Sequence, residues 1–426
     1  MQEPPKAGSD ALVRSRSGQI RGSLLSWRIL AWLCALTLFA PVVCVLWEAI
    51  VPGHGSDAGS WDHVRANLLW PAIRDTAILV AGVCLFSGLL GVPAAWCIST
   101  LQFRGRGLLS VLLVLPLAVP PYVAAFASTE AREAFIPTLA QIRQEMGVDA
   151  FLMFELIHRF AWLILIFSAV LYPYVFLACR SAFSGSSRRL AEASRALGSG
   201  GWATFRKINL PLARPALVAG LFLVAMEVIN DYGAVHHLGI NTMTVTIFRT
   251  WFSLGELETA RRLAGWMLLG IFTLVLLEQW QRGRRGFVSG QEGIPPRPKC
   301  GVMGSIICWL VCLIPVALGL LVPLFILVQW WRASTMPDAA PEIFAAARNS
   351  LFLGVGVTLA CLLLGLVIAG VARFTKRRSD RLMAHGSGIA GYASPGAVMA
   401  AGVFALAAAL RAWFPPESWL GARLLS

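Results

Sequence analysis

Nine apolar stretches, each about as long as a bilayer-crossing helix, are separated by short polar segments along this 426-residue chain. A helix rises about 1.5 Å per residue, so about twenty apolar residues are needed to cross the hydrocarbon layer. Lipid offers no partner to backbone N–H and C=O groups, which predicts an all-α, polytopic transmembrane helix bundle of about nine spans. The stretches lie near residues 27–51, 75–100, 108–127, 160–182, 213–232, 262–280, 303–330, 349–372 and 388–410.

Positive charge is concentrated in alternate loops. The formal net charge is +14, which could suggest nucleic-acid binding, but only 14% of the residues are charged and 57% are hydrophobic. If the N-terminus is cytoplasmic, the inside segments hold 24 of the 36 Lys and Arg residues. This bias is typical of the positive-inside rule. It predicts a cytoplasmic N-terminus, with the lipid bilayer and no nucleic acid as a partner.

The polar segments contain little that could do chemistry. The two longest, near 128–159 and 183–212, lack a nucleotide-binding glycine loop, a metal-ligand cluster or a nucleophile motif. The nine cysteines show no disulfide or metal spacing. We therefore expect no enzymatic activity, no catalytic residues, no cofactor and no metal site.

The segment 183–212 has the pattern of two short amphipathic helices. Apolar residues recur at helical spacing in each half, as Leu190, Ala193 and Leu197, and then as Trp202, Phe205 and Ile208. Gly198 is predicted to end the first helix in a left-handed conformation, and Pro211 to stop the second. The apolar stripes could fill a groove on a partner protein or pack on the protein's own helices.

The same segment carries a long gapped motif. Glu192-Ala193-Ser194 is followed after three residues by Gly198, and after nine more by Ile208-Asn209-Leu210-Pro211. This pattern resembles the EAA loop of permease subunits of binding-protein-dependent ABC importers, with Ser194 where the family has Ala. The resemblance implies a type I importer fold in which Glu192, Ala193, Ser194, Gly198, Ile208, Leu210 and Pro211 form the ATPase-coupling loop.

The resemblance also implies partners and a location. A cytoplasmic ATP-binding subunit, expected as a dimer, would bind the loop, and a periplasmic substrate-binding protein would deliver the solute. The chain would lie in a bacterial inner membrane as a multi-pass protein. Ion-gradient-driven secondary transport and a non-transporting membrane scaffold are the alternative functions.

An internal repeat is visible between the two parts of the chain. Residues 74–83 parallel residues 348–357, and Gly91 and Pro120 correspond to Gly365 and Pro395. This predicts a basic tail at 1–28, a first permease half at 29–280 containing the loop, a cytoplasmic linker at 281–300 and an incomplete second half at 301–426. A second coupling loop would fall beyond Ser426, so we expect either a truncated product, which we favour, or a second permease chain that completes the unit.

Further motifs bear on the substrate. Residues 115–123, Asp231-Tyr232-Gly233 and residues 247–252 are similar to ferric-iron permeases, with thiamine or another small solute as the alternative. Ionisable residues within a span usually face a cavity, because burial in lipid is costly. Glu227, Asn230 and Asp231 are therefore candidates for the translocation path.

Overall fold

The computed structural model describes residues 7–50, 58–133, 135–184, 186–282, 297–333, 340–375 and 377–413, and these are largely helical. Parts of the predicted tail 1–28, most of the linker 281–300 and residues 414–426 lie outside the described residues. The helices are α1 (Ala7–Ile50), α2 (Ala58–Val64), α3 (Trp70–Thr100), α4 (Arg106–Leu112), α5 (Pro121–Ala127), α6 (Thr129–Glu133), α7 (Ile136–Met146), α8 (Val148–Ser184), α9 (Ser186–Ala196), α10 (Gly201–Thr204), α11 (Leu210–Asn230), α12 (Gly233–His237), α13 (Met243–Phe248), α14 (Leu257–Arg282), α15 (Val302–Val316), α16 (Val322–Ala333), α17 (Ala340–Phe374), α18 (Arg378–Ala393) and α19 (Gly396–Trp413).

The predicted polytopic helix bundle is confirmed. Among the described residues, seven helices are long and apolar enough to cross a membrane, and an eighth candidate is a pair bent by 85° between Ala118 and Pro121. This bent pair is the predicted span at 108–127. Pro120 is extended, with φ −60° and ψ 136°, which breaks the helix there.

The ninth predicted span, at 388–410, is not a continuous helix. It is divided between α18 and α19, because the backbone at Ser394 is extended and Pro395 follows it. The break lies at the position that the internal repeat pairs with Pro120. Both repeats therefore interrupt their helix before the same proline, which an apolar pattern alone does not reveal.

Three proline-containing helices begin with a widened π turn. These turns span Arg65–Leu69, Phe205–Asn209 and Ala317–Leu321, and each ends two residues before Pro71, Pro211 or Pro323. A proline ring clashes with the carbonyl four residues earlier and has no N–H to donate. Hydrogen bonds that reach back five residues relieve this conflict, so the helix continues through the proline.

One compact unit contains α2 to α16 and is built around α8. Helix α8 packs against both α3 and α11, and these two helices also pack against each other. A Cβ added at Gly91 would lie 2.9 Å from the Tyr172 carbonyl oxygen, and one added at Gly220 would lie 2.9 Å from the Val175 Cα. Glycine is thus required at both crossings, because close backbone approach supplies the packing between membrane helices.

The two ends of this bundle can be told apart by their hydrogen bonds. At the end where α3 and α8 both finish, the Ser99 hydroxyl donates to the Arg180 carbonyl over 3.2 Å. At the opposite end, the Met243 N–H donates to Thr76 Oγ1 over 2.9 Å. We call these the loop end and the far end, since α8 leads directly into α9 and the predicted coupling loop.

The other compact unit contains α1 and α17, with α18 and most of α19. Ala31 and Ala35 of α1 pack with Ile368 and Val371 of α17. These units differ from the sequence halves, since α1 was assigned to the half at 29–280, and α15 and α16 to the half at 301–426.

Candidate coupling loop and translocation path

The predicted coupling loop is a helical hairpin that turns at Gly198. Gly198 has φ +87°, its N–H donates to the Arg195 carbonyl over 2.9 Å, and the next N–H, of Ser199, donates to the Ser194 carbonyl over 3.1 Å. This pair of bonds satisfies the last carbonyls of α9 and depends on a left-handed residue. The predicted left-handed conformation at Gly198 is confirmed.

The prediction that Pro211 stops the second helix is wrong. The helical segment from Gly201 continues to Asn230 as one candidate span, with Pro211 in the first turn of α11. The Leu210 N–H donates to the Phe205 carbonyl, so the π turn carries the helix past the proline ring. The loop is therefore joined to the membrane span α11 by continuous helix, which can transmit movement more rigidly than a flexible connection.

Aromatic contacts hold the second half of the hairpin against α3. Phe205 meets Trp96 edge-on at a ring-centroid distance of 5.4 Å, and Trp202 stacks on Phe205 at 5.4 Å. Phe205 and Leu210 pack against the buried core of the bundle. These two side chains therefore anchor the loop to the bundle.

The other apolar side chains of the loop face outward. Leu190 is 51% exposed, Leu197 is 88% exposed and Trp202 is 73% exposed, whereas Ala191 is only 1% exposed. Ala193 is also exposed, and Glu192 and Ser194 are half-buried. The stripe predicted at Leu190, Ala193 and Leu197 therefore does not pack on described helices, and we call Leu190, Ala193, Leu197 and Trp202 the loop surface.

Asn209 was not among the predicted site residues although it lies within the motif. Its side chain is 1% exposed, and neither its amide oxygen nor its amide nitrogen has a hydrogen-bond partner among the described residues. An unpaired buried amide is costly. Its place between Ile208 and Leu210, two residues before Pro211, is the sequence signal that could have identified it, because a polar residue stands there between two apolar residues of the motif.

The predicted path residues lie at the end of α11, on the far side of the bundle. Glu227 accepts a 3.1 Å hydrogen bond from the Tyr174 hydroxyl. Asp231 accepts from the backbone N–H groups of Ala234 at 2.9 Å and Val235 at 3.3 Å, which caps the start of α12. The Asn230 side-chain oxygen is buried and has no partner among the described residues.

A cavity of about 310 Å³ follows these residues at the far end. Its wall includes His236 and Arg249, with the aromatic rings of Tyr232, Phe248 and Phe252. No Asp or Glu is present among the described residues that line it. Arg249 is exposed and forms no ion pair with a described residue, so the cavity has a positive character.

The helical bundle, with its exposed hairpin at the motif position, agrees with the resemblance to ABC importer permeases. Residues 87–277 match the family model described as the binding-protein-dependent transport system inner membrane component. This match runs from α3 to α14 and includes the whole coupling loop. The matched part of the chain is similar to that family, whose description is that of a membrane transport component.

Curated relatives align with about half of the chain. A probable molybdenum ABC transporter permease protein of Haloferax volcanii is 29% identical over 202 residues, which covers 47% of this chain and 71% of the relative. The molybdenum transport system permease protein ModB of Haemophilus influenzae is 28% identical over 234 residues, covering 52% and 97%. A probable sulfate transport system permease protein of Chlorella vulgaris is 26% identical over 236 residues, covering 52% and 85%. The predicted ferric iron substrate gains no support from these relatives.

Proposed function

We propose that this chain forms the membrane path of an ATP-driven importer for a tetrahedral oxyanion of the molybdate or sulfate type. The observation that carries the proposal is the similarity of the α3 to α14 region to molybdenum and sulfate permeases. The far-end cavity agrees with it, because Arg249 and His236 offer donors for an anion. A ferric ion would instead require several oxygen ligands.

The three candidate path residues differ in how well they could bind an anion. The carboxylates of Glu227 and Asp231 already accept hydrogen bonds from protein donors, so their charges are in part satisfied within the fold. Asn230 can donate through its amide nitrogen, and its buried oxygen lacks a described partner. We therefore propose that Asn230 contacts the passing solute, while Glu227 and Asp231 hold the end of α11 in place.

The coupling loop is proposed to be the site of ATPase docking. Glu192, Ala193, Ser194, Gly198, Ile208, Leu210 and Pro211 would set its shape, and the loop surface would enter a cleft on the ATPase subunit. Burying an apolar side chain contributes about 1.5–3 kcal/mol to the stability of a complex, so burial of the exposed Leu197 and Trp202 side chains would favour binding of the hairpin to a partner. Because α11 continues from the loop without a break, movement of the hairpin would reach Asn230 at the far end.

The orientation follows from the same proposal. The loop end would face the cytoplasm with the N-terminus, where an ATPase dimer can reach it. The far end would face the periplasm, where a substrate-binding protein would dock close to the Arg249 cavity. Alternating access would expose the path to one end at a time, within a bacterial inner membrane, and a second permease chain is one way to complete the path.

Uptake in proteoliposomes tests the substrate class. Vesicles would contain the chain, its ATPase subunit and its binding protein, and would be offered radiolabelled molybdate, sulfate or ferric iron. We expect ATP-dependent uptake of an oxyanion, and Arg249→Gln should raise the KM while leaving ATPase-subunit binding unchanged. Ferric iron uptake without oxyanion uptake would refute the substrate proposal. Uptake that needs an ion gradient and no ATP would refute the importer mechanism.

A further inference from the structure

A second basic cavity lies at the loop end, away from the proposed path residues. It has a volume of about 190 Å³ and is enclosed by the last turns of α3 and α8, by α4 and by Arg297. Its polar lining consists of three arginines and three serines, namely Arg106, Arg180, Arg297, Ser99, Ser110 and Ser184. No Asp or Glu is present among the described residues that line this cavity.

Four separate chain segments converge to build this cavity. The Arg106 Nη1–H donates to the Ile98 carbonyl over 3.3 Å, and the Arg297 Nε–H donates to the Ser99 carbonyl over 3.0 Å. The Gln102 N–H donates to the Pro298 carbonyl over 2.9 Å, which holds the segment beginning at Arg297 beside the end of α3. The side chains of Arg106 and Arg297 are therefore positioned by backbone carbonyls.

The charges of Arg106 and Arg180 are only partly compensated by the described residues. Backbone carbonyls at the C-terminal end of α3 attract cations. They accept one hydrogen bond from Arg106 and one from Arg297. A guanidinium has five N–H donors, so most of the hydrogen-bonding capacity of Arg106 remains. Arg180 lies over the Phe176 ring at 5.9 Å, and neither Arg106 nor Arg180 forms an ion pair with a described residue.

We propose that this cavity binds a tetrahedral oxyanion of the phosphate or sulfate type. Arginine forks match the oxygens of such anions and form charge-assisted hydrogen bonds with them. One water molecule occupies about 30 Å³ of liquid, so the cavity has room for one tetrahedral anion with its remaining water. The anion could be free in solution or could be the phosphate of an anionic lipid, since the two share this chemistry.

The site would have a mechanical consequence. It joins the C-terminal ends of α3 and α8 to α4 and to the segment that leads into α15. Helix α8 ends at Ser184, two residues before α9 of the coupling loop begins. An anion bound there would restrict the movement of the hairpin at its start, where α9 follows α8 in the chain. The inference does not depend on which solute the protein imports.

Equilibrium binding of radiolabelled inorganic phosphate to the full chain, purified in detergent and stripped of lipid, tests the proposal. Arg106→Gln and Arg180→Gln should each weaken phosphate binding by about tenfold or more, because each removes charge-assisted hydrogen bonds. Ser110→Asp is a second test, since a carboxylate placed in the lining would replace the anion without removing an arginine. Arg104→Gln is the matched control, because Arg104 is exposed and does not line the cavity.

A second arm identifies the source of the anion. The chain would be reconstituted in nanodiscs of phosphatidylglycerol or phosphatidylcholine, and retained lipid would be measured by native mass spectrometry. Phosphatidylglycerol retention that is lost in Arg106→Gln and Arg180→Gln, without phosphate binding, would assign the site to a lipid headgroup. If neither phosphate nor phosphatidylglycerol binding depends on Arg106 and Arg180, or if Arg104→Gln causes the same loss, the proposal is overturned.

Discussion

Replacement of Gly198 by valine tests whether the shape of the coupling loop is needed for transport. Gly198 has φ +87° and no atom within 4 Å of the position that a Cβ would take. A side chain would therefore meet no neighbour, and the only penalty is the left-handed backbone conformation. The substitution isolates the turn from any packing effect.

The size of the effect follows from the conformational cost. A residue other than glycine in a sparsely populated backbone region costs about 1–3 kcal/mol, and a β-branched residue is among the least tolerant. This energy corresponds to a decrease of about 5- to 150-fold in the population of the correctly formed hairpin. We expect ATP-dependent uptake to fall by a similar factor, while membrane insertion and the helical content are unchanged.

Two further variants control for trivial causes. Gly201→Val lies three residues away, also with open space around its Cβ, but Gly201 does not have a positive φ. Gly147→Val carries at least as much strain, at φ +90° and ψ 178° between α7 and α8. Both should retain uptake, and Gly198→Asn should recover part of it, because asparagine tolerates the left-handed region.

The assay compares uptake and ATPase-subunit binding for these variants in proteoliposomes. If Gly198→Val transports as fast as Gly201→Val, the turn is not part of the coupling mechanism. If Gly147→Val loses as much activity as Gly198→Val, general destabilisation explains the result and the reasoning is refuted.

Two predictions concern the stability of the two compact units. Gly220→Ala should lower the free energy of unfolding of the purified protein by about 1–3 kcal/mol, because the added Cβ would lie 2.9 Å from the Val175 Cα. Gly270→Ala should leave it unchanged, because no atom lies within 4 Å of the position of its Cβ. Asp380→Asn should destabilise by about 3 kcal/mol, because the Asp380 side chain is 0% exposed and accepts a 2.7 Å bond from the Arg28 Nε–H. Arg28 holds the pKa of the Asp380 carboxyl below its ordinary value, so the pair stabilises the fold above about pH 4 and this contribution is lost as the pH falls through the lowered pKa. Equal melting temperatures for Gly220→Ala and Gly270→Ala would contradict the first prediction. The second would be contradicted if the difference in free energy of unfolding between Asp380→Asn and the parent protein did not change with pH below about pH 4.

The coarse fold could be predicted from hydropathy, because the bilayer fixes the length and the apolar character of each span. Details that depend on backbone hydrogen bonding could not. Local rules predict that a helix stops at Pro211, but the π turn before it allows the helix to continue. The same rules do not reveal that the chain is extended before Pro395, which divides a stretch that is apolar enough to be counted as one span. Local apolarity gives no information about which helices pack together, so it could not indicate that α1 packs with α17, or that α15 lies in the same compact unit as α3 and α8.

The candidate site was predicted in part. Gly198 was correctly assigned because a left-handed turn has a strong glycine signature. Periodicity located the apolar stripes, but it could not distinguish anchoring Phe205 from exposed Leu197, since that depends on the position of Trp96 in α3. The arginine cavity combines segments nearly two hundred residues apart, and no spacing within the sequence indicates it.

The docking of the loop surface on an ATPase subunit is the central claim, and site-specific photocrosslinking in native membranes tests it most directly. A photoreactive phenylalanine analogue would replace Leu197, which is 88% exposed on the hairpin, and in a matched control it would replace Leu152, which is 55% exposed near the start of α8. We expect a covalent adduct at residue 197, identified by mass spectrometry through the nucleotide-binding glycine loop of the captured subunit, and no such adduct at residue 152. An ATPase adduct at residue 152, or none at residue 197 in membranes that show ATP-dependent uptake, would contradict this claim.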